Sequence, residues 1–187
     1  MGPTAEAGAR ALLAGELVVH PTDTLYALAA SALDRSAVAR LVVAKGRGEG
    51  RPLSVAVSST EELERWAELA PAARSFARRE LPGPYTLLLR PSSEARRALA
   101  PEVASGPTIG LRVPDHPLAR ELARRAGPIV ATSANRSGAP PARSLAEARR
   151  TFGPSVAAFL TAPPRPSGRP STLVDLTGAR PRRRARR

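Results

Sequence analysis

Helical spacing of apolar positions marks Ala5–Leu13 as a first helix, with Thr4 placed as its N-cap and Gly15 as its stop. The run Leu17-Val18-Val19 that follows has the character of a buried strand, ended by Pro21. Thr22, Asp23 and Thr24 then fall at a strand's end, where α/β sheets bind ligands, although the same trio suits a plain turn. Asp34 caps a second helix with Val38, Leu41 and Val42 on one face, ending near Lys45-Gly46.

Beyond the glycines at 46, 48 and 50, Leu53–Val57 alternates as a strand, and Ser59 with Glu62 predicts a capping box. Leu81-Pro82-Gly83-Pro84 is a turn, Tyr85–Leu89 a strand, and helical material resumes at Glu94. Ile109–Val113 and Ile129–Thr132 read as two strands around a helix over Leu118–Ala126 that stops at Gly127. Ser144 and Glu147 predict another capping box, and Val156–Leu160 a short helix. Residues 161–170 form an aperiodic Pro/Arg/Gly loop that can serve as a lid, before a last strand over Thr172–Leu176. The alternation gives one α/β domain over residues 1–179, with no repeat or heptad.

Composition narrows the chemistry. The chain has 187 residues, 42% of them hydrophobic but only 3% aromatic, so alanine, leucine and valine must fill the core. Without cysteine there is no disulfide, thiolate nucleophile or thiolate metal site. No run reaches the roughly 18 apolar residues of a membrane span and no secretion signal is evident, which points to a cytoplasmic protein. A net charge of +13 favours polyanionic or phosphorylated partners. Arginines at 180, 182, 183, 184, 186 and 187 concentrate that charge in a tail over 180–187, expected to be disordered by self-repulsion and either to touch RNA or to fray in solvent.

Phosphate-loop, dinucleotide and H-E-x-x-H signatures are absent. His20 and His116 lack metal-ligand spacing, so no metal site is assigned to side chains, although Asp23 and Asp175 could hold Mg²⁺ through water. Lys45, Arg47 and Arg51 flank the glycines in a loop suited either to anions or to plain solvation. Thr132, Ser133 and Asn135 follow a strand and can address sugar or phosphate oxygens, although an Asx-turn also explains Asn135. Ser137 is read as a further ligand-binding hydroxyl, and Gly138 permits a tight turn. Arg112, at the end of a strand, requires an anionic partner, either an internal carboxylate or a bound phosphate.

Six ordered blocks, PTDTLYAL (21–28), KGRGEGRPL (45–53), LPGPYTLLL (81–89), GLRVPDHP (110–117), TSANRSG (132–138) and STLVDL (171–176), together resemble the YrdC/Sua5 family of threonylcarbamoyl-adenylate synthases. The resemblance implies a twisted mixed parallel/antiparallel sheet with flanking helices around a concave basic cavity. It implies an ATP-binding nucleotidyltransferase that joins L-threonine, bicarbonate and ATP, with Mg²⁺, into threonylcarbamoyl-AMP and pyrophosphate. A separate transferase complex then passes the group to tRNA, giving threonylcarbamoyladenosine; tRNA contact is direct or through that complex.

Carried over block by block, Thr22, Asp23, Tyr26 and Thr132 fall to the threonine side. Lys45, Arg47, Arg51, Arg112, Ser133, Asn135 and Ser171 fall to the nucleotide, with Lys45, Arg47 and Arg112 as the catalytic cations. The chain departs from the family pattern at Ala27, commonly glycine, at Gly48, commonly proline, and at Arg51, commonly lysine. Competing readings are a YciO-like relative with weak or different activity, an RNA-binding protein of double-stranded RNA or tRNA without turnover, and, last, a carbamoyltransferase.

Overall fold

A computed structural model describes residues 4–46, 53–178 and 180–185. Helix α1 (Ala5–Leu13) forms within its expected bounds: Thr4 Oγ1 accepts from Ala7 N at 3.3 Å, and Gly15 leaves the helix at φ 78°. There follow β1 (Val18–Pro21), β2 (Tyr26–Ser31), α2 (Arg35–Lys45), β3 (Ser54–Ala56), α3 (Leu63–Trp66), β4 (Ala67–Glu68), α4 (Pro71–Glu80) and β5 (Tyr85–Pro91). Next come α5 (Ser93–Ala98), α6 (Pro101–Ala104), β6 (Ile109–Arg112), α7 (Pro117–Ala126), β7 (Ile129–Ser133), α8 (Leu145–Phe152), β8 (Ala158–Phe159), β9 (Thr172–Asp175) and β10 (Arg182–Arg184).

These strands build one mixed sheet in the order β10-β9-β5-β6-β3-β7-β2-β1-β8, with β4 attached to β5. The pairs β1·β8, β3·β6 and β5·β9 are parallel; the other pairs are antiparallel. Strand pleating divides the side chains between two faces. Val19, Leu28, Ala30, Val55, Leu87, Leu89, Ile109, Leu111, Val130 and Val174 point to one face and form the main core with α2 to α6 and α8.

The other face is only partly covered. Helices α1 and α7 pack over Val18, Ala29, Ala56, Ile129 and Ala158. Gly8 permits that close packing, since a Cβ there would lie 2.5 Å from Leu160 Cδ1 and 3.0 Å from Leu122 Cδ2. Register places Ala27, Ser54, Thr86, Gly110, Arg112, Ala131 and Ser133 on this same face. These residues are small or polar. Where no helix covers them they leave a hollow.

Four local expectations are corrected. Val156–Leu160 does not form a helix: Val18 and Val19 of β1 pair in parallel with Ala158 and Phe159, so the sheet overrides local pattern. Glu62 accepts from Ser58 N and Ser58 Oγ, not from Ser59, and the helix it precedes is a single turn. Ser144 does cap α8, but the Glu147 carboxylate takes Arg143 N, one residue earlier than a capping box requires. In the tail, Arg182–Arg184 pairs antiparallel with β9, where self-repulsion predicted no regular structure. Arg184 reaches Asp175 at 2.7 Å, and hydrogen bonds from Thr177, then from Arg184, lower the Asp175 pKa to about 2.

Candidate functional site

The uncovered part of the sheet holds a cavity of about 280 Å³. Its walls come from four segments. The β1–β2 turn supplies Thr22, Thr24 and Leu25, followed by Tyr26 and Ala27 of β2; α2 supplies Lys45; β7 and its exit supply Ala131, Thr132, Ser133, Asn135, Ser137, Gly138 and Pro141; the end of the 161–170 loop supplies Pro170 and Ser171. Ser54, Thr86 and Arg112 rise from the strands between. Thr22, Tyr26, Lys45, Arg112, Thr132, Ser133, Asn135 and Ser171, expected from the sequence, therefore meet in one place. Arg47 and Arg51 lie outside the described residues.

Asp23 does not line the cavity. Its Oδ1 accepts from Arg112 Nη2 at 2.7 Å, so an internal carboxylate supplies an anionic partner for this arginine. Arg112 Nη1 donates to Thr24 Oγ1 at 3.1 Å, and the Thr24 hydroxyl lies 2.9 Å from Thr22 Oγ1. Thr22 Oγ1 donates to Leu25 O at 2.8 Å and accepts the amides of Thr24 and Leu25. The turn reading is satisfied, and the same turn lines the cavity through Thr22 and Thr24: Thr22 folds the turn that holds Arg112.

Lys45 is the last residue of α2, which Gly46 ends in the left-handed region at φ 58° and ψ 40°. The residue is only 3% exposed, and Nζ donates to Ser133 O at 2.7 Å and Asn135 Oδ1 at 3.2 Å. Lys45 O accepts from Ser137 N at 2.8 Å, so helix end and loop are clipped together at two levels. Asn135 Nδ2 donates to Ala139 O, but the expected Asx-turn does not form, since Asn135 Oδ1 accepts from Lys45 Nζ and the amide two residues on, Ser137 N, donates to Lys45 O. On the opposite wall, Ser171 Oγ and Thr86 Oγ1 lie 2.8 Å apart.

Ser54 and Thr86 escaped sequence reasoning. The available signal was one small hydroxyl side chain in each of two β-rich runs, but only register places them beside Gly110 and Arg112. Ala27 causes no backbone conflict: it is a strand residue, and among the described residues only glycines have positive φ. Its methyl group lies in the cavity wall.

His20 is fully buried beside the site, with Nδ1 donating to Pro21 O at 2.9 Å. Burial pushes its pKa down to about 4, with smaller contributions from the charges of His116 and Arg112. The unfolded chain therefore takes up this proton near pH 6.5 and the folded one near pH 4. Stability is complete above the higher value and falls as pH drops through the window, by on the order of 3 kcal/mol. Urea denaturation between pH 7 and pH 4.5 should show this slope in the parent protein and a flatter one in His20→Gln. Equal slopes would remove His20 as the cause.

Comparison with known proteins agrees with this geometry. A sequence profile of the Sua5_yciO_yrdC family, described as telomere recombination, matches residues 10–187. A Mycobacterium tuberculosis protein, named provisionally as a threonylcarbamoyl-AMP synthase, is 44% identical over 173 residues, covering 92% of this chain and 78% of that protein. The threonylcarbamoyl-AMP synthase of Chromohalobacter salexigens is 38% identical, covering 93% of each chain. The crystal structure of Pyrococcus abyssi Sua5 complexed with L-threonine superposes with a TM-score of 0.86 at 34% identity, over 95% of this chain and 52% of that one. The present chain thus spans about half the length of that solved relative. With a family match across nearly its whole length, the chain belongs to the Sua5_yciO_yrdC family.

Proposed function

We propose that the protein is a threonylcarbamoyl-AMP synthase, forming threonylcarbamoyl-AMP and pyrophosphate from L-threonine, bicarbonate and ATP. One observation carries the reading. Every one of the six sequence blocks contributes at least one residue to the same cavity: Thr22 and Tyr26, Lys45, Thr86, Arg112, Ser133 and Asn135, and Ser171. The threonine-bound relative and the relatives named as synthases support the choice of substrates.

In this reading the cavity is basic because Lys45 and Arg112 line it and, among the described residues, no carboxylate does, with Arg47 and Arg51 adding charge from the loop that follows Lys45 in sequence. Thr22, Tyr26 and Thr132 receive threonine, while Asp23, outside the cavity, holds Arg112 from behind. Ser133, Asn135 and Ser171 hold the nucleotide. Threonine's deprotonated nitrogen attacks the carbon of bicarbonate-derived carbon dioxide to form an N-carboxylate. An oxygen of that group attacks the α-phosphorus in line, and pyrophosphate leaves. Lys45, Arg47 and Arg112 offset the developing charge while the cavity holds three reactants together. Among the described residues there is no cluster of three or more metal-ligating side chains. In this reading Mg²⁺ enters with the ATP substrate, carried on its phosphates.

The product serves a transferase complex that modifies tRNA, which sets the protein's work in the cytoplasm. Among the described residues no helix is long and apolar enough to cross a membrane. Exposed Arg182 and Arg183 offer tRNA a contact at the sheet edge.

Incubating the purified protein with ATP, threonine and bicarbonate should yield the mixed anhydride by mass spectrometry, with pyrophosphate release that disappears when threonine is omitted. Release indifferent to threonine would defeat the reading in favour of a YciO-like relative. Steeply salt-dependent RNA binding without turnover would favour the RNA module.

A further inference from the structure

His116 closes the block GLRVPDHP and is fully buried, yet it lies outside the cavity and its side chain makes no cap at the start of α7. Its Nε2 lies 3.0 Å from Pro164 O. A carbonyl only accepts, so Nε2 donates. Pro164 lies in the 161–170 segment, which includes prolines at 163, 164, 166 and 170 and so has few amides with which to fold on itself. Its position is set from outside.

The anchors run in sequence toward the cavity. His116 holds Pro164; Ser167 N donates to Asp23 O at 3.1 Å, and Gly168 N to Thr24 O at 2.8 Å. Pro170 and Ser171 then form a cavity wall, with Ser171 Oγ against Thr86 Oγ1. Asp23 and Thr24 are also the residues that hold the Arg112 guanidinium. The segment is therefore a strap lying across the back of the arginine's support before it enters the site.

We propose that His116 is a positioning residue: its hydrogen bond to Pro164 sets the strap, and through the strap the Pro170–Ser171 wall and the turn that supports Arg112. The proposal rests on the synthase reading for its kinetic consequence but not for its structural one. A histidine used in this way needs its ring nitrogen as a donor at a fixed reach. Glutamine can reproduce that donor; alanine cannot.

The experiment compares His116→Ala and His116→Gln with the parent by steady-state kinetics and by amide exchange at Ser167 and Gly168. In His116→Ala the KM for ATP or threonine should rise roughly tenfold with a smaller change in kcat, as expected when ground-state positioning is lost. Both amides should exchange faster. His116→Gln should restore parental KM and exchange. Parental KM and exchange in a folded His116→Ala overturn the proposal, as does a folded His116→Gln no better than alanine. If His116→Ala does not fold, the glutamine variant decides: parental values support the role, and raised KM with fast exchange refutes it. If the parent protein makes no adenylate, the synthase reading fails, while the exchange data still decide whether His116 sets the strap.

Discussion

Lys45→Ala is expected to cut threonine-dependent pyrophosphate release by at least roughly a hundredfold, the scale seen when a preorganised charge-stabilising donor is removed from an active site. The side chain does two things at once. Its ammonium stands in the cavity wall, and two of its three donors fasten Ser133 O and Asn135 Oδ1. Alanine therefore deletes a charge and frees the loop proposed to hold the nucleotide. Lys45→Met separates these effects from packing, because a thioether of similar length fills the space of the buried stem. Its turnover should fall about as far as that of the alanine variant, while its unfolding midpoint stays nearer the parent's. Arg47→Ala should lose activity comparably, since the same charge stabilisation is asked of it. Near-parental release by purified Lys45→Ala and Arg47→Ala would remove both from the machinery.

How much of this was legible depended on whether the determining interaction was local. Helix α1 and the start of α2 follow from Thr4, Asp34 and the residues immediately after them, because a cap bonds within three positions. Strand β2 did not declare itself. Its sequence YALAAS is rich in alanine, a residue depleted from strands, and it is a strand because β1 and β7 flank it. The same non-local pairing makes a strand of Ala158–Phe159 and carries Arg182–Arg184 onto the sheet edge.

Site residues divide along the same line. Thr22, Lys45, Ser133 and Asn135 stand in loops or at element ends, where polar side chains without a packing duty attract notice. Ser54 opens β3 and Thr86 stands inside β5, each in an otherwise apolar stretch, and their importance comes from a third layer that stops short of them. His116 was visible only as a histidine without metal spacing. Its partner is 48 positions away.

Arg112 is the residue whose two possible partners, carboxylate or phosphate, sequence left open, and substitution can weigh them. Its side chain is 9% exposed and that of Asp23 12%, so Arg112→Met leaves a nearly buried carboxylate without its cation. Breaking such a pair from one side costs about 3–5 kcal/mol, much of it the desolvation of the abandoned charge. The single variant should therefore lose both stability and activity, which by itself says nothing about catalysis. Adding Asp23→Asn removes the abandoned charge, and the double variant should recover most of the lost stability, because replacing both members of a buried pair is often close to neutral. Activity should not return, since neither methionine nor asparagine supplies the guanidinium donors to a phosphate. Arg112→Lys sharpens the point: it keeps the charge but loses the fork whose Nη1 reaches Thr24 and whose Nη2 reaches Asp23. Denaturation and pyrophosphate release measured on the three variants separate the roles. Activity that recovers in step with stability in the double variant would reduce Arg112 to a structural ion pair. Stability without activity assigns it both tasks, holding the β1–β2 turn with one part of its fork while its charge faces the substrate's phosphates.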